Sequence, residues 1–371
     1  FHYSDYKNDT KQLNFIGQAP YEASWQRFLE HENPIFTFKQ WQAGVDVDYD
    51  VATHASLGGL AEYRVRERAP REVEKDAETV LGARARIHAP GAVTLKGDYT
   101  HGERKMDAFL LEEYVGLRER LALGHTAGLF DSLGQLEQSG LRRFDVANRD
   151  QNQANASVVI PLGDGVDLSA TYAFVRNRYK SDTGIDTTLG LRSDENQMLE
   201  GNAVLHVNDQ LELTGTLGLG RSTSDQISRA SPVVQSFRPD SNWTATLEDR
   251  ETFGSAAFDW NPRRKLSFSG EYGISRTMST YDLGNAFSNA ADLPNVFYRR
   301  QDVTLEMGWR WLQRTQVVGR YNWEQFDQID WAVKDVPLIF PVTGAASAIF
   351  LGDSSRSYTA HRVALLVRHT F

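Results

Sequence analysis

From Trp41 onward the chain alternates apolar and polar residues in segments long enough to cross a lipid bilayer. Trp41, Ala43, Val45, Val47 and Tyr49 stand against Gln42, Gly44, Asp46 and Asp48. A spacing of two is that of one face of a β-strand, because successive side chains point to opposite sides. The pattern returns around residues 57–65, 81–87, 93–99, 166–174, 199–207, 211–219, 254–260, 266–274, 303–311, 317–323 and 363–367. With a weaker segment at 152–160 and a ragged first one at 1–6, about 14 strands are expected, most of about ten residues. That length exceeds the usual globular strand and suits a tilted membrane-crossing one. The connections alternate as well, roughly two to five residues and then roughly 12 to 50, as in barrels with short periplasmic turns and long extracellular loops.

Composition is consistent with this reading once the alternation is recognised. No run of about 18 apolar residues occurs, which excludes a bundle of transmembrane helices. A mean hydropathy of -0.47 and a net charge of -9 over 371 residues resemble a soluble acidic protein. A barrel, however, hides only half of each strand in lipid, so its average hydropathy can be low. The acidic balance argues against a nucleic-acid partner. The absence of cysteine excludes disulfides, thiolate metal sites, Fe–S clusters and covalent attachment of c-type haem to this chain. A soluble β-sandwich would also alternate, but its loops would not sort by length. Aromatic residues separate the two possibilities. Phe258, Trp260, Phe268, Trp309 and Trp311 lie beside short turns, and Trp41, Tyr99, Phe174, Tyr321 and Trp323 beside long loops. Two such girdles mark two membrane interfaces. The expected fold is an all-β, antiparallel transmembrane β-barrel forming a single domain over residues 1–371. Its long extracellular loops are expected at about 102–148 and 325–357.

The opposite face carries Asp46, Asp48, Arg64, Arg84, Arg86, Lys96, Asp98, Glu212, Arg310 and Arg320. Charge at strand centres is costly in lipid, so this face lines the interior. Arg64, Arg84, Arg86, Arg310 and Arg320 are candidates for lumen contacts to a partner's acidic surface. The simpler reading of each is a cross-strand ion pair. In the first long loop Ala108, Leu111, Val115 and Leu117 recur at helical spacing, which suggests an amphipathic helix. The second carries an apolar run at 336–350 that could pack on the rim or dock another protein. No H-E-x-x-H, G-x-S-x-G or phosphate-cradling glycine loop occurs, and no catalytic, cofactor-binding or metal site is expected. Pairs such as His206 and Ser267 arise by chance. Val363, Leu365, Val367 and the terminal Phe371 read as the barrel-assembly signal of outer-membrane proteins.

Several loop and strand-end motifs carry a family resemblance. Leu141-Arg142-Arg143-Phe144-Asp145-Val146-Ala147-Asn148-Arg149-Asp150 resembles the L-R-x-[YF]-D-x-A-[DN]-R-D strand entry of the MtrB/PioB family. Leu189-Gly190-Leu191-Arg192-Ser193 is similar to that family's L-G-L-Q-S loop end, and Asp330-Trp331-Ala332 to its D-W-A segment. Leu351-Gly352-Asp353, followed by Tyr358, His361, Val363, Leu365, Val367, Arg368 and Phe371, resembles its closing pattern, with His369 where an aromatic residue is usual. The resemblance runs from about Gln40 to Phe371. It implies an integral protein of the bacterial outer membrane, a barrel sheath that embeds a periplasmic multihaem (decahaem) c-type cytochrome and supports extracellular electron transfer across that membrane. Further implied partners are an extracellular multihaem cytochrome, outer-membrane lipid and the barrel-assembly machinery. Haem would be carried by the partner and none by this chain. The family's barrels have roughly twice the strands visible here, so the chain is expected to be the C-terminal half of a longer barrel. The other function left open by the residues is that of a general diffusion porin with a water-filled lumen.

Overall fold

The computed structural model describes residues 1–8, 14–16, 30–32, 36–69, 73–108, 144–145, 147–180, 189–229, 242–285, 293–330, 339–341, 347–349 and 357–369. The strands are β1 (His2–Tyr6), β2 (Asn14–Ile16), β3 (Glu30–Glu32), β4 (Thr37–Ala52), β5 (Ala55–Ala69) and β6 (Lys75–Ala89). They continue with β7 (Val93–Met106), β8 (Asn148–Leu162), β9 (Val166–Lys180), β10 (Gly190–Asn208), β11 (Leu211–Arg229) and β12 (Asn242–Arg263). The last are β13 (Leu266–Asn285), β14 (Val296–Leu312), β15 (Thr315–Ile329), β16 (Ile339–Pro341), β17 (Ser347–Ile349) and β18 (Tyr358–His369). Fourteen of them form one antiparallel sheet in the order β1-β4-β5-β6-β7-β8-β9-β10-β11-β12-β13-β14-β15-β18. Each strand pairs with its neighbours in sequence, so the wall is an up-and-down meander. The sheet is open, with β1 and β18 as its edges. β2 with β3 and β16 with β17 form two small hairpins inside the connections.

Residues of one face stay in register across the whole sheet. Tyr49 pairs with Leu57, Leu57 with Ala85 and Ala85 with Gly97. Farther along, Leu217 pairs with Gly254, Gly254 with Ile274, Leu305 with Tyr321 and Tyr321 with Val363. The positions on this face are exposed or half-exposed, Leu217 to 75% and Val363 to 82%. So continuous an apolar surface belongs in hydrocarbon rather than water. Val363, Leu365 and Val367 all lie on it, whereas Phe371 falls outside the described residues. Trp260 and Phe268 stack at 5.4 Å near the short turns, and Trp41 and Tyr63 meet at 5.4 Å toward the other end.

The strands are longer than expected, reaching 22 residues in β12. The outer face of β9 shows why. It reads Val166, Leu168, Ala170, Tyr172 and Phe174, and then Arg176, Arg178 and Lys180. Hydrogen-bonded pairing with β8 and β10 continues after the apolar pattern has ended. The ladder needs only paired backbone groups, so it runs on into water. Connections at the long-loop end shorten accordingly, to 70–74, 181–189 and 286–295, while 107–147 and 330–357 remain long. At the other end the turns are tight, at 53–54, 90–92, 163–165, 209–210, 264–265 and 313–314. Gly163 holds a φ of 71° in one of them, where a side chain would be strained. Of the helix expected around 108–121, residues 109–121 lie outside the described residues. The apolar run at 336–350 contributes the β16–β17 hairpin, with Ile339 opposite Ile349.

The two faces predict different costs for the same charge. Leu217→Arg should lower the stability of the lipid-reconstituted barrel by about 2–4 kcal/mol, whereas Thr214→Arg on the opposite face of β11 should cost about 1 kcal/mol or less. Denaturant unfolding from bilayers measures both.

Candidate functional site on the lumen face

The face opposite the apolar one would line the lumen, and among the described residues its charges fall into two zones. Toward the short turns, Asp48, Gly58, Arg84 and Asp98 form one row across β4, β5, β6 and β7. Arg84 reaches over the intervening strand. Its Nε donates to Asp48 Oδ1 at 2.8 Å and its Nη1 to Asp46 Oδ2 at 3.0 Å. Gly58 makes the passage. A Cβ there would fall 2.5 Å from Asp48 Oδ1 and closer still to Arg84 Nε, so a larger residue would block the bridge. Asp98 accepts from Asn155 Nδ2 at 2.8 Å, which extends the row to β8. The next row places Arg86 directly opposite Lys96. Both are exposed, and neither has an ion-pair partner among the described residues. They border a recess of roughly 330 Å³ shared with Asp48, Asp50, Arg84 and Asp98.

Toward the long loops the face becomes denser and more enclosed. Arg64, Glu78, Arg104 and Arg149 form a row across β5, β6, β7 and β8. Glu78 accepts from Arg149 and lies 3.6 Å from Arg64, which also binds Glu62 at 2.8 Å. Asp76, one row farther out, sits 3.3 Å from Arg66 and 3.2 Å from Arg68. Glu78 is 5% exposed and Asp76 2%, so these carboxylates are viable only because arginines surround them. Arg104 spends its donors differently. Its Nη2 binds the carbonyls of Phe144 at 2.5 Å and Ala147 at 2.9 Å. Arg68 Nη1 donates to the carbonyl of Asp145 at 2.7 Å, and the backbone N–H of Met106 to Asn148 Oδ1 at 2.6 Å. The cluster therefore fastens the end of the long connection to the wall. Tyr179 and Asn177 extend it by donating to the two oxygens of Asp194, at 2.6 and 2.7 Å.

The five arginines singled out from sequence all lie on this face, but they do not converge. Arg64 belongs to the enclosed cluster and Arg84 to the bridge over Gly58. Arg320 pairs with Glu306 across β14 and β15. Arg86 and Arg310 are exposed, and no ion pair engages either among the described residues. Three of the five thus take the simpler role of cross-strand pairing. Sequence reading missed Arg104, Arg149, Asp76 and Glu78. Arg149 stood within the 141–150 motif and could have been picked out there, since three backbone carbonyls and two side chains of that motif are what the cluster binds. On β14, β15 and β18 a further group joins Arg300 to Glu324 at 2.8 Å, and Tyr358 donates to the same carboxylate. Tyr298, Phe326 and Tyr358 stack beside it, with ring centres 6.2 and 5.7 Å apart. His206 pairs with Asp167 and Glu212, while Ser267 on another strand hydrogen-bonds the carbonyl of Gly308.

The cluster's anchoring role is open to a direct check. Arg104→Ala should leave the barrel folded yet raise protease cleavage within residues 144–148, because two carbonyls lose their donor. Glu78→Gln should cost about 3 kcal/mol of stability by leaving arginines uncompensated, measured by denaturant unfolding.

Among the solved structures similar to this chain are two outer-membrane proteins. One is the ferric-catecholate import receptor Fiu from E. coli K12 in its open form, at 12% identity and a TM-score of 0.43, covering 89% of this chain and 63% of the receptor. The other is the copper transporter OprC, at 10% identity and a TM-score of 0.37, covering 92% and 67%. The chain therefore spans less than two thirds of the receptor's length. No curated protein matches the sequence. The family model described as "Putative outer membrane beta-barrel porin, MtrB/PioB" matches residues 1–371, the whole chain. The protein is an integral outer-membrane β-barrel and belongs to the MtrB/PioB family.

Proposed function

We propose that this barrel is a sheath that embeds a periplasmic multihaem c-type cytochrome and holds it across the outer membrane for transmembrane electron transfer. The observation that carries the reading is the wide, mixed-charge lumen face. Eight-stranded barrels fill their interiors with their own side chains, whereas barrels of 16 to 18 strands leave open space. A wall of fourteen strands belongs near the open end of that range, so water or another protein occupies its interior. A channel selective for one ion sign would display rings of the opposite sign. Here acids and bases interleave and largely satisfy one another, as on the surface of a protein that meets a second protein. Arg86, Lys96 and Arg310 are left to meet carboxylates of an occupant. Covalent haem needs cysteines that this chain lacks, so the redox group would belong to the partner. The barrel's contribution is insulation and alignment.

Isolation from native membranes in mild detergent tests the proposal. A c-type haem spectrum should co-purify at constant stoichiometry, and a pure barrel free of haem protein would overturn it. Charge reversal at Arg86 and Arg310 should lower the salt concentration at which the haem protein dissociates, since screening acts first on exposed contacts. The family description as a porin favours a second reading, a water-filled diffusion pore. Planar-bilayer recording separates the two. The native assembly should be nearly closed and the stripped barrel conductive, while equal large conductance from both would select the pore.

A further inference from the structure

The outer face of the wall changes character just above its apolar band, and it does so with arginine. On β11 the outward positions run Leu217, Leu219 and then Arg221; on β12, Gly254, Thr252 and then Arg250. On β13 Ile274 is followed by Arg276, and on β14 Val303 and Gln301 by Arg299. Arg221 and Arg250 are register partners across β11 and β12, and so are Arg276 and Arg299 across β13 and β14. Like charges placed directly opposite on a sheet repel and are normally avoided. Two such pairs stand side by side on four successive strands.

Among the described residues the acids neutralise them only in part. Glu248 is shared between Arg221, at 2.8 Å, and Arg250, and Glu195 adds a weaker attraction on Arg221. Arg276 lies 5.8 Å over the ring of Phe297. Asp327, the register partner of Arg299, accepts instead from Gln325 at 3.1 Å. Arg276 and Arg299 are exposed, and neither has an ion pair among the described residues. The belt is at the long-loop end, which faces the cell exterior in barrels of this class. It lies at the depth where the hydrocarbon gives way to head groups. Guanidinium groups match phosphate oxygens in a two-pronged geometry, so paired arginines are suited to bridge one phosphate between strands.

We infer that Arg221, Arg250, Arg276 and Arg299 form an outward-facing site for the phosphate groups of outer-leaflet lipid, a phosphorylated glycolipid that seals this sector of the wall. The site is on the opposite side of the sheet from the proposed cytochrome, so either reading can fail without the other.

Full-length barrel in detergent is mixed with phosphatidylcholine vesicles alone, with vesicles doped with diphosphoryl lipid A, or with vesicles doped with dephosphorylated lipid A. Co-flotation and bound lipid phosphorus are the readouts. Preferential capture of the diphosphoryl form is expected. Arg276→Gln and Arg299→Gln should each weaken it about fivefold, in line with the usual contribution of one basic residue at an anionic membrane surface. Arg276→Lys and Arg299→Lys, which keep the charge but lose the two-pronged geometry, should recover only part of the binding, and Arg314→Gln at the opposite end should retain all of it. Heat-modifiable gel mobility confirms that each variant is folded. Equal capture of phosphorylated and dephosphorylated lipid would overturn the inference. So would complete displacement by millimolar inorganic phosphate, which would mark a simple anion site rather than a lipid one.

Discussion

Inside hydrocarbon a peptide N–H or C=O has no water to bind, and each one left unpaired costs several kcal/mol. The antiparallel ladder running from β1 to β18 answers that constraint, and most other features of the molecule follow from it. Pairing in register forces side chains to alternate, so one face can be apolar and the other charged. Neighbouring strands in a meander need only tight turns at one end, which leaves the other end free to carry long connections. The ladder is indifferent to what its side chains do, and so it continues beyond the apolar band and raises a polar wall above the membrane.

The charges that alternation sends inward are handled in two ways. Where the face is open, as at Arg84, pairs are half-exposed and contribute little to stability, but they offset part of the lumen's local charge. Where it is enclosed, as around Asp76 and Glu78, removal of any partner strands a buried charge. The enclosed zone coincides with the root of the 107–147 connection. Arg104 and Arg68 bind main-chain carbonyls there, so the segment is held by its backbone rather than by the identity of its side chains.

Strand number, order and inward or outward direction were legible in the sequence because each depends on a period of two that survives local irregularity. Strand ends were not. The apolar pattern of β9 stops at Phe174, and nothing in hydropathy distinguishes the paired Arg176–Lys180 stretch from a loop. Lumen-facing arginines could be named, but not sorted. Arg84 is tied down and Arg86 is not, because Gly58 is opposite the one and Ser56 the other, and that depends on register between strands. The Arg104 anchor was hidden for a related reason. Its acceptors are carbonyls, which every residue has, about forty positions away in the chain.

The height of the wall sets a length scale for whatever passes through it. At about 3.3 Å per residue and a tilt near 45°, a strand as long as β12 rises about 50 Å, against about 30 Å of hydrocarbon. A conductor threaded through this tube would have to outreach the bilayer by more than half its thickness before meeting anything outside. Redox centres spaced only to cross lipid would leave the outermost one recessed below the rim.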